Sequence, residues 1–284
     1  MNKKTGTAKF SVISNASLTI LKIIAGILSG SISILSEAIH SFMDLLAAII
    51  AFFAVRISDT PADERHPYGH GKFENVSGVI EASLIFVAAF WIIFEAIKKI
   101  ISPRPVESAG IGFIVMVISA VVNVFVSRKL YHVAKQTDSI ALEADALHLK
   151  TDVFTSLGVA VGLLLIWITG YHLLDPIIAI MVALLILKES YSLFNRAYAP
   201  LLDVSLPKEE VELIMSIIDK HCNDRISYHH LRTRKAGNYK YVDFHLNLDE
   251  NLTVKEAHEI CDQIEGDIKS SIPFMEVTIH VENF

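Results

Sequence analysis

The tightest constraint on this chain is its supply of long apolar runs. A helix that crosses the hydrocarbon core of a bilayer needs about 20 mostly apolar residues. Six stretches qualify: Phe10–Leu28, Ile32–Val55, Val76–Ile97, Ile111–Leu130, Ile140–Ile168 and Leu173–Leu193. They predict six transmembrane helices. Gly and Pro in "SGSIS" and "TGYHLLDP" suit tight connections between the first two and the last two. With 52% hydrophobic and only 20% charged residues, the chain is too apolar for an ordinary soluble protein. A net charge of −6 argues against nucleic acid as a partner. No small-residue cleavage site follows the first run, so no cleavable signal peptide is expected. Cys222 and Cys261, the only cysteines, form neither a disulfide framework nor a thiolate zinc motif.

Lys and Arg near the span ends set the orientation. Lys3, Lys4, Lys9, Arg56, Arg65, Lys72, Arg128, Lys129 and Lys135 fall on one side; Lys98, Lys99 and Arg104 fall on the other. The richer side is expected to be cytoplasmic, which puts both termini there.

From about residue 205 the character changes, and the expected boundary separates a transport unit (1–204) from a cytoplasmic unit (205–284). "KEEVELIMSIIDKH" follows Pro207 with helical periodicity. "ISYHHLRTRKAG" reads as a strand ending in a Gly turn, and "YKYVDFHLNL" alternates with Val242, Phe244, Leu246 and Leu248 on one face. "TVKEAHEICDQIEGDIKS" is a helix with Ala257, Ile260, Cys261, Ile264 and Ile268 on one side, and Thr253 with Glu256 forms its capping box. "MEVTIHVENF" is a last strand, with Val277, Ile279 and Val281 inward and His280 and Glu282 outward. The order α-β-β-α-β predicts one sheet against two helices.

Two of the apolar runs carry the same device. "ILSEAIHSFMDLLAAIIAFFAV" holds His40 and Asp44; "ALHLKTDVFTSLGVAVGLLLIWI" holds His148 and Asp152. Positions i and i+4 share a helix face. Each ionisable group in hydrocarbon costs about 2.5–3.5 kcal/mol on insertion scales, so such groups face a cavity or a partner. One pair could be helix–helix glue or a proton relay. Two pairs brought face to face form a set of two imidazoles and two carboxylates, which suits tetrahedral Zn²⁺. The carboxylates balance the charge of one divalent ion, and without it they attract protons. Metal and proton then compete for one site. Lys150 points away from the second pair and snorkels toward the cytoplasmic side. Asn15, Glu37, Glu81 and Asn123 read as packing or pathway-lining residues.

Two polar regions offer further ligands. "DERHPYGHGKFE" places Asp63, His66 and His70 in one loop with Gly69 and Gly71 for tight turns. The alternative is a solvated loop of no special role. The last 80 residues contain His221, His229, His230, His245, His258 and His280. Alternation points His245 and His280 outward beside Asp243 and Glu282, a donor set that can take Zn²⁺. The alternative is a set of surface histidines. Strict alternation puts His229 on the face of Leu231, which makes His230 its rival as a ligand.

The two H-x-x-x-D pairs, the "HPYGHGKFE" loop and the α-β-β-α-β tail together resemble the cation diffusion facilitators, over nearly the whole chain. The resemblance implies a homodimeric inner-membrane exporter that moves divalent metal out of the cytoplasm in exchange for protons. It implies that His40, Asp44, His148 and Asp152 form the transport site. Some bacterial zinc and iron members carry Asp where this chain has His40, and this corner accompanies metal preference; His favours Zn²⁺ over harder ions such as Mn²⁺. Asp63, His66 and His70 match a loop site found in some members. His229, His245 and His280 match a regulatory site, with Glu282 where Asp is usual and His258 on the neighbouring helix. Lys72 matches a lysine that pairs with an acid just after the sixth span, here Asp203, near the dimer interface.

The leading expectation is therefore a Zn²⁺/H⁺ antiporter, with Zn²⁺ as cargo and as regulatory ligand. Fe²⁺, Mn²⁺, Co²⁺ or Cd²⁺ are the rival cargoes. An intramembrane hydrolase is disfavoured, because catalytic zinc keeps an open coordination position and HExxH is absent. A metal receptor without transport is the third class.

Overall fold

The computed structural model describes residues 2–29, 32–102, 110–171 and 173–283. Six long helices come first: α1 (Lys3–Ser29), α2 (Ile32–Ser58), α3 (Lys72–Ile101), α4 (Gly110–Thr137), α5 (Ile140–Thr169) and α6 (Leu174–Tyr198). Several run past the apolar stretches at their polar ends; α1 starts at Lys3, not Phe10. Arg104, one of the three cations assigned to the poorer side, lies outside the described residues, as does the side chain of Glu37. Among the described residues, five helices contain an apolar stretch fit to cross a membrane. The sixth, α5, is 30 residues long; Glu143, Asp145, Lys150 and Asp152 fall in its first half, and no charged residue follows Asp152.

The packing inverts the pattern of a water-soluble protein. Large apolar side chains such as Ile24, Ile27, Val87, Phe90, Trp91 and Phe94 are exposed, whereas Ala47, Ala48, Ala51, Ala82, Ala89, Ala141 and Ala144 are buried. Lipid is as apolar as Leu, so spans associate through small residues that let backbones approach. Gly78 marks one such approach: a Cβ there would lie 3.0 Å from Ala197 Cβ of α6. α3 packs mainly on α6, α1 on α2 and α4 on α5, and α5 also touches α2, α3 and α6. Contact with α2 is what lets the α5 pair meet the α2 pair.

At the end of this unit where α2 finishes and α3 begins, a buried ionic cluster joins four segments. The fully buried Glu74 carboxylate accepts from Lys4 Nζ (2.8 Å), Ser58 Oγ (2.8 Å) and Ser139 Oγ. Lys4 also reaches Asp59 at 2.9 Å.

The chain divides at Tyr198/Ala199 into two compact units. The second begins with a 3₁₀ turn (Ala199–Leu202) and continues as α7 (Lys208–Asp219), β1 (Ile226–Ala236), β2 (Tyr239–Leu248), α8 (Val254–Ser271) and β3 (Met275–Asn283). β1 and β2 are antiparallel, joined by a two-residue turn with Gly237 at φ +62°, the left-handed conformation such turns need. β3 is parallel to β2, as the α8 crossover requires. Val242, Phe244, Leu246 and Leu248 are buried with Ile214, Ile217 and Ile218 of α7 and Ile264 and Ile268 of α8. Each such side chain contributes roughly 1.5–3 kcal/mol of transfer free energy. The capping box forms: Thr253 Oγ1 accepts from the Glu256 amide, and Glu256 accepts from the Thr253 amide. One inward assignment is corrected. Val281 is exposed, while Met275 at the other end of the strand is buried. β3 is an edge strand, covered from one side only.

Candidate metal centre

Helical spacing and the α2–α5 contact bring both intramembrane pairs together. His148 Nε2 lies 3.0 Å from Asp44 Oδ1. His40 Nε2 lies 3.8 Å from Asp44 Oδ1 and 3.7 Å from Asp152 Oδ1. One ligand atom each from His40, Asp44 and Asp152 fall within 4.8 Å of one another, and His148 joins through Asp44. His148 Nδ1 and Asp152 Oδ2 are buried with no partner among the described residues. A buried polar atom left unpaired is costly, so this is a donor set with unused capacity.

The set has one open side. A cavity of about 200 Å³ is lined by His40, Asp44 and Asp152 with Asn15, Lys22, Ser41, Ser119 and Asn123. Its lining runs from Asn15 to Lys22 on α1 and from His40 to Asp44 on α2. The His40 side chain is 57% exposed there, against 8% for Asp44. Toward the opposite ends of these helices, Ala8, Val55, Val126, Leu130, Leu142, Ala146 and Leu149 form a closed apolar core.

Asn15 and Asn123 thus line the cavity, in keeping with their expected roles. Glu81 is fully buried, receives Ser77 Oγ at 3.4 Å and leaves Oε2 unpaired among the described residues. Two residues were missed. Lys22 lines the cavity and donates to Ser41 Oγ at 2.7 Å. Asp145 is buried with Oδ2 unpaired among the described residues. A charge inside an apolar run was the available signal for both, and Asp145 also sits three residues before His148.

The loop ligands also converge. His66 Nδ1 lies 3.2 Å from Asp63 Oδ1, and His70 Nε2 lies 3.3 Å from Asp63 Oδ2. Backbone amides of His66 and Arg65 donate to Asp63 Oδ1. The His66 amide is the chief cause that holds this carboxyl below its ordinary pKa. Gly69, at φ +80°, makes the turn that brings His70 back. His70 Nδ1 is buried without a partner among the described residues.

In the tail, register does the gathering. His229 pairs with His245 across β1–β2, and His245 with His280 across β2–β3. Glu282 lies 2.9 Å from His245 Nδ1, 3.4 Å from His229 Nε2 and 3.5 Å from His280 Nε2. The rivalry between His229 and His230 dissolves. The ladder shifts between His229 and Arg232, and His230 takes φ +52°. Such a bulge breaks alternation, and both rings stand 5.1 Å from that of His245. His258 is not brought in; its Nε2 faces Asp262 at 3.6 Å. Asp203, at φ +53°, faces Arg234 at 3.8 Å.

Comparison with known proteins identifies the family of both units. Residues 8–202 match the family profile for the cation efflux transmembrane domain, and residues 206–284 match that for the cation efflux protein cytoplasmic domain. The chain is a cation diffusion facilitator. An uncharacterized transporter of Synechocystis is 37% identical over 92% of this chain and 84% of its own length. The cation-efflux pump FieF of Shewanella oneidensis is 34% identical over 96% of this chain and 92% of its own. A solved chain of CzrB, 36% identical, covers 28% of this chain and 99% of its own at a TM-score of 0.27. As a cation diffusion facilitator the protein is a multi-pass membrane transporter that exports divalent metal cations.

Proposed function

We propose that this facilitator exports Zn²⁺ across the inner membrane in exchange for protons, through a site formed by His40, Asp44, His148 and Asp152. The observation that carries the reading is the 3.0 Å contact between His148 and Asp44, with His40 and Asp152 beside it in a 200 Å³ cavity. A hydrogen bond of that kind needs a proton between nitrogen and oxygen. Zn²⁺ would take both atoms as ligands and expel the proton. Two nitrogens and two carboxylates suit tetrahedral zinc and neutralise it. An open cavity on one side and a closed apolar core on the other suit one state of an alternating-access cycle, and the second state would expose the same set to the cytoplasm.

In the same reading both termini are cytoplasmic and two copies form a homodimer, with Lys72 and Asp203 near the interface. Zn²⁺ held by His229, His245, His280 and Glu282, with His258 supplied at the tail–tail contact, biases the dimer. Asp63, His66 and His70 hold metal at the loop.

The test is flux. Purified protein in vesicles is given Zn²⁺ and an imposed pH gradient, beside a His40→Ala, Asp152→Ala double variant. Proton-driven zinc flux lost in the variant supports the reading. Proton-driven flux of Fe²⁺, Mn²⁺, Co²⁺ or Cd²⁺ without zinc changes the cargo and keeps the mechanism. Flux retained in the variant moves the site elsewhere. Tight binding without flux of any divalent metal makes the protein a receptor.

A further inference from the structure

A second cavity, of about 710 Å³, lies between α4, α5 and α6 and shares no residue with the metal cavity. Four cations line it: Arg128 and Lys135 from α4, Lys150 from α5 and Arg196 from α6. Two carboxylates oppose them. Glu143 is already engaged, with Oε1 at 3.1 Å from Lys135 and Oε2 at 2.9 Å from Arg196. That leaves Glu189 alone against Arg128 and Lys150. No carboxylate pairs with either of these two cations among the described residues, and Lys150 Nζ stands 5.1 Å from the Phe154 ring.

Arg128 closes the apolar run of α4, and Lys150 lies in the polar first half of α5. Both residues are exposed, toward the Lys- and Arg-rich side of the membrane unit. Cations that line a groove between spans at that level suit a counter-charge from outside the protein. A path for a divalent cation would not be lined by an excess of cations, so the cavity is unsuited to the transported ion. It is suited to an anion. Its remaining lining joins an apolar wall of Val124, Leu147, Val153 and Leu193 to the polar Ser127, Tyr131 and His132. Beside it, Phe125 and Leu185 expose their side chains as lipid-facing residues do. An anionic group attached to an apolar chain satisfies both features.

We propose that this groove holds the headgroup phosphate of an anionic phospholipid between Arg128 and Lys150, with the acyl chain along the apolar wall. Basic pockets between spans are recognised lipid sites, and each cation contributes about a factor of five to headgroup affinity. The site is independent of which metal is carried.

The test uses the full chain in nanodiscs of phosphatidylglycerol and phosphatidylcholine in equal amounts, with retained lipid read by native mass spectrometry. The wild type is expected to retain phosphatidylglycerol preferentially. Arg128→Gln with Lys150→Gln should weaken that preference about thirtyfold. Inorganic phosphate added to the detergent-solubilised protein should not displace the lipid. Equal retention of both lipids by the wild type would overturn the proposal and needs no variant. So would an unchanged preference in the folded double variant, displacement by inorganic phosphate, or displacement by Zn²⁺.

Discussion

Asp152, as a proposed ligand, would be costly to the fold and necessary to the site. Its Oδ1 faces His40 at 3.7 Å, but its buried Oδ2 has no partner among the described residues. Asp152→Ala should therefore leave thermal stability unchanged or raised, since it removes an unsatisfied buried oxygen. The same variant should lose zinc flux, and its metal affinity should fall by more than the 10–100-fold typical of losing a supporting partner. Retained flux, read in vesicles, would remove Asp152 from the site. Where metal displaces protons, affinity must depend on pH. Zinc affinity of the membrane site should rise with pH by about tenfold per unit for each proton expelled. Calorimetry in buffers of different ionisation enthalpy counts those protons; a flat profile would exclude competition. His40, Asp44, His148 and Asp152 were legible because i, i+4 spacing survives from sequence into any regular helix. His229 and His230 were not, because alternation assumes a regular strand and a bulge with φ +52° at His230 is invisible to it. Lys22 and Asp145 were visible as charges but carried no pair spacing.

At the scale of elements, the membrane unit is held by small residues along its length and by ions at one end. Glu74 joins α1, α2 and the α4–α5 junction to α3. Glu74→Ala would strand the buried Lys4 ammonium beside Asp59 alone. Breaking a buried pair costs roughly 3–5 kcal/mol, whereas replacing both partners with apolar residues is often neutral. Thermal unfolding should accordingly show a large loss for Glu74→Ala and substantial recovery in Lys4→Met with Glu74→Leu. Equal loss in both would mean that the Ser58 and Ser139 contacts matter more than the charge. The spans themselves were readable from length and apolarity. This cluster was not, because Lys4, Glu74 and Ser139 are distant in sequence and each reads alone as an ordinary residue near a helix end. Val281 failed for a related reason: alternation gives a face, but only the strand order shows that β3 is an edge.

At the scale of the whole molecule, the chemistry is divided between two compact units. In the proposed reading the membrane set exchanges ions across a barrier, while the tail cluster of His229, His245, His280 and Glu282 sits on a small sheet with its own core. In the proposed dimer, metal on the tail acts only by favouring one arrangement of the two copies, and it shifts that balance by no more than its difference in affinity for the two arrangements. His245 is the sensitive position. It is the middle residue of the register, with His229 on one side and His280 on the other, and it makes the shortest contact to Glu282. Its ring is half-exposed and outside the buried core, so His245→Ala should change stability by about 0.5 kcal/mol or less, as surface substitutions do. Zinc-dependent approach of the two tails, followed by energy transfer between labels on the paired chains, should weaken or vanish in this variant. The zinc bound per chain should fall, while binding at the membrane set persists. Unchanged stoichiometry would remove His245 from the ligands. Lost stoichiometry with unchanged tail approach would make the cluster a store of metal and leave the coupling to other contacts.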